Sequence, residues 1–176
     1  MRVSNDFNGG IMMQTKQGVW SDEIMAKLVE GNLEPDVLLE MQREAKEEDR
    51  FDHVLRMEQK RVPWPDRIVL CLQENLYIVE KANKERIVKC LCGHEFGDYR
   101  KNYKESALIY ERDTDEKLEE VFRGPRKTNP EWQVIREIYC PGCGVMLDVE
   151  SVAPGYPLVF NFLPDFEAFE KNRKGE

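Results

Sequence analysis

Four of the five cysteines stand in two close pairs, which is a pattern typical of a metal site. The first pair lies in Cys90-Leu-Cys-Gly-His94 and the second in Cys140-Pro-Gly-Cys-Gly144. Zinc and iron both accept thiolate ligands, and four protein ligands in a tetrahedron leave no position open to water. The two pairs therefore suggest one shared structural metal site.

The two pairs differ in how closely they follow a standard ligand spacing. Cys-Pro-x-Cys-Gly is a tight turn in which Pro141 fixes φ and Gly144 can adopt the left-handed conformation, so that backbone N–H groups face the sulfurs. The first pair is one residue shorter than Cys-x-x-Cys, and Cys90, Cys92 or both could be ligands. His94 could replace one of them, since zinc also accepts three cysteines and one histidine, or it could lie beside the site without binding.

Chain length and charge limit the classes of function. The chain has 176 residues, enough for one domain with an extension, and Cys92 and Cys140 are separated by 48 positions (140 − 92), so whole elements must lie between the pairs. Its net charge of −8 disfavours broad contact with nucleic acid or an anionic membrane. The loop Tyr99-Arg-Lys-Asn-Tyr-Lys104 is both basic and aromatic. It is the best remaining candidate for binding single-stranded nucleic acid, and the alternative interpretation is a solvated loop.

Cysteine usage predicts a cytoplasmic protein. Five cysteines without a signal peptide or a long apolar run indicate a reducing compartment, where paired cysteines are usually metal ligands rather than disulfides. The fifth, Cys71, lies in the apolar run Ile68–Leu72 and is expected to be a small buried hydrophobic residue.

The first third of the chain predicts helices. Residues 1–18 lack an apolar period and are expected to be a mobile arm. Ser21 followed by two acidic residues predicts a helix that ends near Gly31, and Pro35 predicts a second helix running without interruption to about Lys60. The apolar stripe of that long helix is thin, which favours an external partner that would cover it.

The sequence changes character at Pro63-Trp-Pro65, so we predict a helical extension over 1–62 and a zinc-binding β-rich domain over 63–176. The predicted class is α+β, with an N-terminal helical arm followed by a small antiparallel zinc ribbon-like domain. Short β-branched or alternating runs predict six strands, and capping signals predict two helices. The predicted strands are 68–72, 76–80, 86–89, 107–110, 132–139 and 145–149, with a further apolar strand at 158–162, and the helices are 114–122 and 165–171.

Four ordered motifs resemble one known family. They are Cys90-Leu-Cys-Gly-His-Glu-Phe-Gly-Asp-Tyr-Arg100, Tyr110-Glu-Arg-Asp-Thr-Asp115, Tyr139-Cys-Pro-Gly-Cys-Gly144 and Pro154-Gly-Tyr-Pro157. Together they are similar to the gamma subunit of acetone carboxylase over roughly residues 70 to 170.

The resemblance implies a small zinc-binding subunit in a complex with alpha and beta subunits, two copies of each chain. The matching zinc positions are Cys90, Cys92, Cys140 and Cys143, with His94 as the position in question. In that family the larger chains hold manganese and ATP and join acetone to bicarbonate as acetoacetate, with release of AMP and phosphate. A related aryl ketone carboxylase could use a similar small subunit.

The residues themselves indicate no catalytic machinery. The sequence contains no glycine-rich phosphate loop and only two histidines, so we expect this chain to support chemistry performed elsewhere, through its helical arm and aromatic tail. Two alternatives remain. Cys-Pro-Gly-Cys-Gly also occurs in rubredoxin-like iron electron carriers, and a zinc ribbon with the Tyr99–Lys104 loop could bind nucleic acid.

Overall fold

The computed structural model describes residues 20–44, 49–122, 124 and 128–174. The expected mobile arm over 1–18 lies outside these residues. The chain divides between Arg61 and Val62 into two compact units, which are considered separately.

The described part of the first unit contains three short helices: α1 Asp22–Val29, α2 Pro35–Arg43 and α3 Arg50–Arg61. Ser21 caps α1 as predicted, because its side chain accepts a hydrogen bond from the backbone N–H of Ile24. A small core of four large side chains holds the helices together. These are Trp20, Met25, Met41 and Met57.

The prediction of one long helix from Pro35 to Lys60 is wrong. Helix α2 ends at Arg43, where Glu44 turns to an extended conformation with ψ 158°, and α3 begins at Arg50. Met41 and Met57 are 1% and 4% exposed in the same core, whereas a continuous helix would hold them about 24 Å apart. Met41 and Met57 of the thin stripe are therefore buried within the unit itself, whereas Leu38, Phe51 and Leu55 are half-buried.

His53 joins two of these helices. Its side chain on α3 is buried, and Nε2 lies 2.6 Å from Oδ1 of Asp22 at the start of α1. The hydrogen bond to His53 lowers the pKa of Asp22. This contact gives the buried His53 a packing role between α1 and α3.

The second unit begins with an antiparallel sheet of four strands in the order β1-β2-β3-β4. The strands are β1 Arg67–Gln73, β2 Leu76–Glu80, β3 Arg86–Cys90 and β4 Glu95–Asp98. The first three strands and the hairpin between β2 and β3 agree with the prediction. Lys84 in that hairpin adopts a positive φ of 69°. Strand β4 was not predicted because it is only four residues long and contains a glycine.

The second sheet has three antiparallel strands in the order β5-β6-β7. They are β5 Leu108–Arg112, β6 Val134–Tyr139 and β7 Met146–Val152. Helix α4, Asp115–Glu119, follows β5 and is capped by Thr114, but it ends before the predicted Phe122. A short 3₁₀ turn at Tyr103–Ser106 joins the two sheets. The predicted α+β class, with helices first and small antiparallel sheets after them, is confirmed.

The predicted strand at 158–162 is wrong. That segment has no regular secondary structure, and polar side chains hold it in place of a neighbouring strand. Asn102 donates to the carbonyl of Leu158 at 3.3 Å, and Lys104 Nζ donates to Asn161 Oδ1 at 3.1 Å. Prolines before and after the segment favour an extended chain without strand pairing. The final helix, α5 Phe166–Lys174, lies where it was predicted.

Side chains of the basic and aromatic loop at 99–104 are engaged inside the protein. Lys104 is 3% exposed and its amine contacts Asp148 at 3.3 Å and also Glu150. Tyr99 packs on the ring of Phe166, with centroids 5.3 Å apart. Tyr99 and Lys104 therefore help to pack the second unit, whereas Arg100 and Lys101 of this loop are exposed.

Three cationic side chains contact Glu80, at the end of β2. Its carboxylate lies 3.0 Å from Arg67, 3.1 Å from Lys84 and 3.3 Å from Arg86. Burial opposes ionisation of Glu80, but the hydrogen bonds from Arg67 and Lys84 prevail and lower its pKa to about 2. This network ties β1, the hairpin and β3 together.

Among the described residues, no helix combines the length and hydrophobicity that crossing a membrane would need.

Candidate metal centre

The ends of two strands bring the four paired cysteines together. Cys90 is the last residue of β3, Cys140 directly follows β6, and Cys92 and Cys143 lie in the turns that come next. The four sulfur atoms all lie within 4.8 Å of one another. Cys90 and Cys140 are buried, whereas Cys92 and Cys143 are exposed.

The distances between sulfurs match those around a single metal ion. Cys90 Sγ lies 3.9 Å from Cys143 Sγ, and Cys92 Sγ lies 3.8 Å from Cys140 Sγ. In a tetrahedron with metal–sulfur bonds of about 2.3 Å, the sulfurs are about 3.8 Å apart. These two separations fit that geometry, and the four cysteines could therefore hold a metal ion. Both of these close pairs join one turn to the other.

Each turn is closed by two backbone hydrogen bonds. In the first turn, Cys90 N–H donates to the carbonyl of His94 and Gly93 N–H donates to the carbonyl of Cys90, both at 2.9 Å. In the second, Cys140 N–H donates to the carbonyl of Val145 at 2.9 Å and Gly144 N–H donates to that of Cys140 at 2.8 Å. The shorter first pair therefore still forms a closed turn that presents both of its sulfurs.

Gly142 allows the two turns to approach each other. A Cβ atom at this position would lie 2.9 Å from the Cβ of His94 and 3.3 Å from the sulfur of Cys92. The φ of Gly142 is not in the left-handed region, so it is space rather than conformation that requires glycine here. Sequence reasoning assigned the need for glycine to Gly144, whose φ is +72°, and missed the steric role of Gly142.

His94 forms part of the wall around the cysteines. Among the described residues, the cluster of potential ligand atoms consists of the four cysteine sulfurs and does not include His94. The His94 ring instead lies edge-on to Phe96, with centroids 4.9 Å apart and an angle of 82° between the planes. The ring of His94 thus packs against Phe96 on β4, while its Cβ lies close to Gly142.

Trp64 braces the first turn from outside. Its indole N–H donates to the carbonyls of Cys90 at 3.2 Å and Leu91 at 3.0 Å. The amine of Lys89 lies 5.1 Å from the centre of the indole ring. The sequence predicts only a domain boundary at Pro63-Trp-Pro65 and not this role of Trp64. The sequence feature that could have indicated this role is the tryptophan itself, because the indole N–H of a buried tryptophan usually donates a hydrogen bond.

The surroundings of three of the four thiols shift their pKa values. Burial raises the pKa of the Cys90 and Cys140 thiols. Burial also opposes ionisation of Cys92, but the His94 backbone N–H and hydrogen bonds from the other three cysteines lower its pKa overall. Binding of a divalent metal ion would therefore displace protons from the Cys90 and Cys140 thiols, so metal affinity should fall as pH decreases.

The fifth cysteine takes no part in this cluster. Cys71 lies on β1 and is partly exposed, so the expectation that it is buried is wrong. It provides a natural control for experiments on the other four.

The chain matches a known family over most of its length. The family model described as acetone carboxylase gamma subunit matches residues 62–174. A protein named acetone carboxylase gamma subunit, from Xanthobacter autotrophicus, is 43% identical over 143 residues, which are 81% of this chain and 85% of that protein. A protein named acetophenone carboxylase beta subunit, from Aromatoleum aromaticum, is 31% identical over 85 residues, which are 47% of this chain and 66% of that relative.

Proposed function

Because this chain belongs to the acetone carboxylase gamma subunit family, we propose that it is a small, non-catalytic, zinc-binding subunit of an ATP-dependent ketone carboxylase. The identity of 43% over 81% of the chain is the observation that carries this proposal. The geometry of the four cysteines supports the metal-binding part of it independently.

We propose zinc as the metal and Cys90, Cys92, Cys140 and Cys143 as its ligands. Sulfur separations of 3.8 and 3.9 Å fit tetrahedral zinc, and thiolates are ligands that zinc prefers. A site closed by four protein ligands has no position for a substrate. Bound zinc would supply positive charge that keeps the sulfurs ionised and fixes the two turns.

The role proposed for this site is to join the two sheets. Cys90 ends a strand of the four-stranded sheet and Cys140 follows a strand of the three-stranded sheet, so four metal–sulfur bonds would cross-link them. Trp64 holds the first turn, and Gly142 lets the second turn approach it. The protein residues thus shape a rigid platform rather than a reaction centre.

We further propose that the partners are the alpha and beta subunits of the carboxylase, with two copies of each chain. Family membership supports the view that manganese and ATP bind to those larger chains, which convert acetone and bicarbonate to acetoacetate with release of AMP and phosphate. Acetone is favoured over an aryl ketone because the relative named for acetone carboxylase is more similar, and over more of the chain, than the one named for acetophenone carboxylase.

Two further parts of the proposal concern organisation and location. We propose that residues 63–176 are the metal-binding domain and residues 1–62 an extension. Limited proteolysis of the metal-loaded protein should leave a resistant fragment that starts near Pro63. Thiol ligands also favour a reducing, cytoplasmic compartment.

Metal content of purified protein tests the site. Wild-type protein should hold one zinc per chain, and Cys143→Ser should lose most of it. Cys71→Ser is the matched control because it changes the cysteine that lies outside the cluster, and it should retain the full zinc content. A coloured, iron-loaded wild-type protein, or a Cys143→Ser variant with full zinc, would contradict the proposal.

Carboxylation by the assembled complex tests the function. The complex purified through this chain should incorporate labelled bicarbonate into an acid product when ATP and acetone are present. Acetophenone in place of acetone should give much less product. A complex that requires ATP but prefers acetophenone would move the proposal to an aryl ketone carboxylase, and a chain without carboxylating partners would overturn it.

A further inference from the structure

One face of the β5-β6-β7 sheet remains exposed although it carries apolar side chains. The register places Leu108, Tyr139 and Met146 in one row across the three strands, and Tyr110, Glu137 and Val149 in the next. Residues that lie opposite each other in a sheet share a face. We call these two rows the outer face of the sheet.

The apolar side chains on the two edge strands of the outer face are highly exposed, whereas Glu137 on the central strand is 7% exposed. Leu108 is 56% exposed, Met146 is 49% and Val149 is 50%. The opposite face holds the core residues Ile138 and Leu147, which are 0% and 6% exposed. A sheet with one buried face normally directs polar side chains to solvent, and contiguous exposed apolar side chains mark contact sites instead.

Strand β5 adds an edge to this surface with which no other described strand pairs. It is the last strand of the sheet, and its apolar residues Leu108, Ile109 and Tyr110 are all exposed. Edge strands of soluble proteins are normally protected by charges, prolines or a covering segment. Leu108 and Tyr110 belong to the outer face, so the apolar surface extends to this edge, whereas Ile109 pairs with Ile138 and lies on the other face.

A polar network keeps the aromatic side chains of this surface in place. Arg112 donates to Glu137 at 2.8 Å, and the hydroxyl of Tyr139 donates to the same carboxylate at 2.7 Å. The guanidinium of Arg112 lies 4.9 Å from the centre of the Tyr110 ring, and the amine of Lys117 lies 5.4 Å from it. Ordered tyrosine, arginine and methionine side chains are typical of the centres of protein interfaces.

The charge beside the outer face indicates what kind of surface it fits. Residues 111–120, which include α4, contain six acidic and two basic side chains, a net charge of −4. The contact of Lys117 with Tyr110 places α4 next to the apolar surface. A second copy of this chain would bring two such acidic segments together, and like charges at an interface disfavour that pairing.

We infer that the outer face of the β5-β6-β7 sheet, with the β5 edge, is the docking surface for a larger carboxylase chain that presents an apolar centre bordered by basic side chains. This inference rests on the proposed function, since the partner is the complex named there. It assigns assembly to the three-stranded sheet and not to the helical unit.

Substitutions to aspartate on the assembled complex test this assignment. Leu108→Asp and Val149→Asp should each weaken recovery of the larger chains about tenfold or more. The reason is that burying one such apolar side chain at an interface raises binding affinity by about that factor. Leu39→Asp is the matched control. Leu39 is 45% exposed and lies outside the residues that match the family, so that variant should assemble within about twofold of wild type.

The readouts separate a docking defect from a folding defect. Zinc content and thermal unfolding of each purified variant should equal those of wild type. Hydrogen exchange on the wild-type chain should show protection at 108–112 and 146–152 when the complex forms. Higher salt should also slow assembly, because the acidic segment attracts a basic partner.

Each outcome decides a different claim. If wild type recovers the carboxylase chains and both sheet variants do so equally well, the docking assignment is overturned while the proposed function stands. If wild type recovers no such chains and no carboxylase activity, both fall. Self-association of the isolated chain that Leu108→Asp abolishes would replace the larger chain by a second copy and also overturn the inference.

Discussion

Replacement of Gly142 by alanine should weaken metal binding although it alters no ligand. The added Cβ would meet His94 Cβ at 2.9 Å and Cys92 Sγ at 3.3 Å, both of which belong to the opposite turn. Ordinary contact between carbon atoms begins near 3.5 Å, so the two turns must separate by about half an ångström. Metal–sulfur distances tolerate only about 0.2 Å.

The magnitude follows from the cost of overpacking. Forcing an additional methyl group into a closely packed position costs about 1–3 kcal/mol. If that strain is present only when both turns bind one ion, it corresponds to a loss of zinc affinity of roughly 5- to 150-fold. Competition with a chromophoric chelator at neutral pH measures this affinity directly.

Two further variants make the test specific. Gly155→Ala is a matched control, because Gly155 has a φ of +75° and no neighbour within 4 Å of the added Cβ. It should lower stability by about 1 kcal/mol and leave zinc affinity unchanged. His94→Gly removes the closest atom and should restore part of the affinity lost in Gly142→Ala. Wild-type zinc affinity in Gly142→Ala alone would refute the steric argument.

Three other substitutions test the packing of the metal-binding unit. The pKa of Glu80 is about 2 in the folded protein and about 4.5 when unfolded, so its contribution to stability is complete above pH 4.5 and is lost as pH falls towards 2. After solvent screening, this contribution to the free energy of unfolding is about 1–2 kcal/mol. The variant Glu80→Gln should therefore show a smaller loss of unfolding free energy between pH 4.5 and 2, by that amount. Equal acid declines in the two proteins, measured by urea unfolding, would contradict this. Lys104→Met leaves the carboxylates of Asp148 and Glu150 without their amine at a buried site, and should lower the free energy of unfolding by about 3–5 kcal/mol. Lys101 is exposed, so Lys101→Met should change the midpoint of urea unfolding very little. Similar midpoints for the two variants would count against the buried ion pair. Trp64→Phe removes the indole N–H group that donates to the first turn, and should speed the transfer of zinc to a chelator about tenfold. Trp132 is 78% exposed, so Trp132→Phe should leave the transfer rate unchanged. Equal transfer rates in the two variants would contradict the role proposed for Trp64.

The cysteine cluster was predictable from the sequence because ligand chemistry restricts the choices so strongly. Two pairs of thiols in one chain with a turn residue behind each pair have few other uses, and the structure brings all four sulfurs together. The position of His94 was not predictable. Whether an imidazole points at a metal or packs against Phe96 depends on a side-chain torsion, which spacing along the chain does not determine.

Features that depend on contacts distant in sequence were missed or wrong. The role of Gly142 depends on the approach of residue 94, and the role of Trp64 depends on carbonyls 26 and 27 positions away. The break between α2 and α3 contains no proline or glycine, so only the shared core of Met41 and Met57 reveals it. The run at 158–162 has strand composition but no neighbouring strand to pair with.

Native mass analysis of the complex isolated from its own cells, with metal content read on the same sample, tests the central claim most directly. The account predicts one zinc per copy of this chain and two kinds of larger partner chain in equal number with it. A chain isolated alone and carrying iron would contradict both the proposed metal and the proposed carboxylase role.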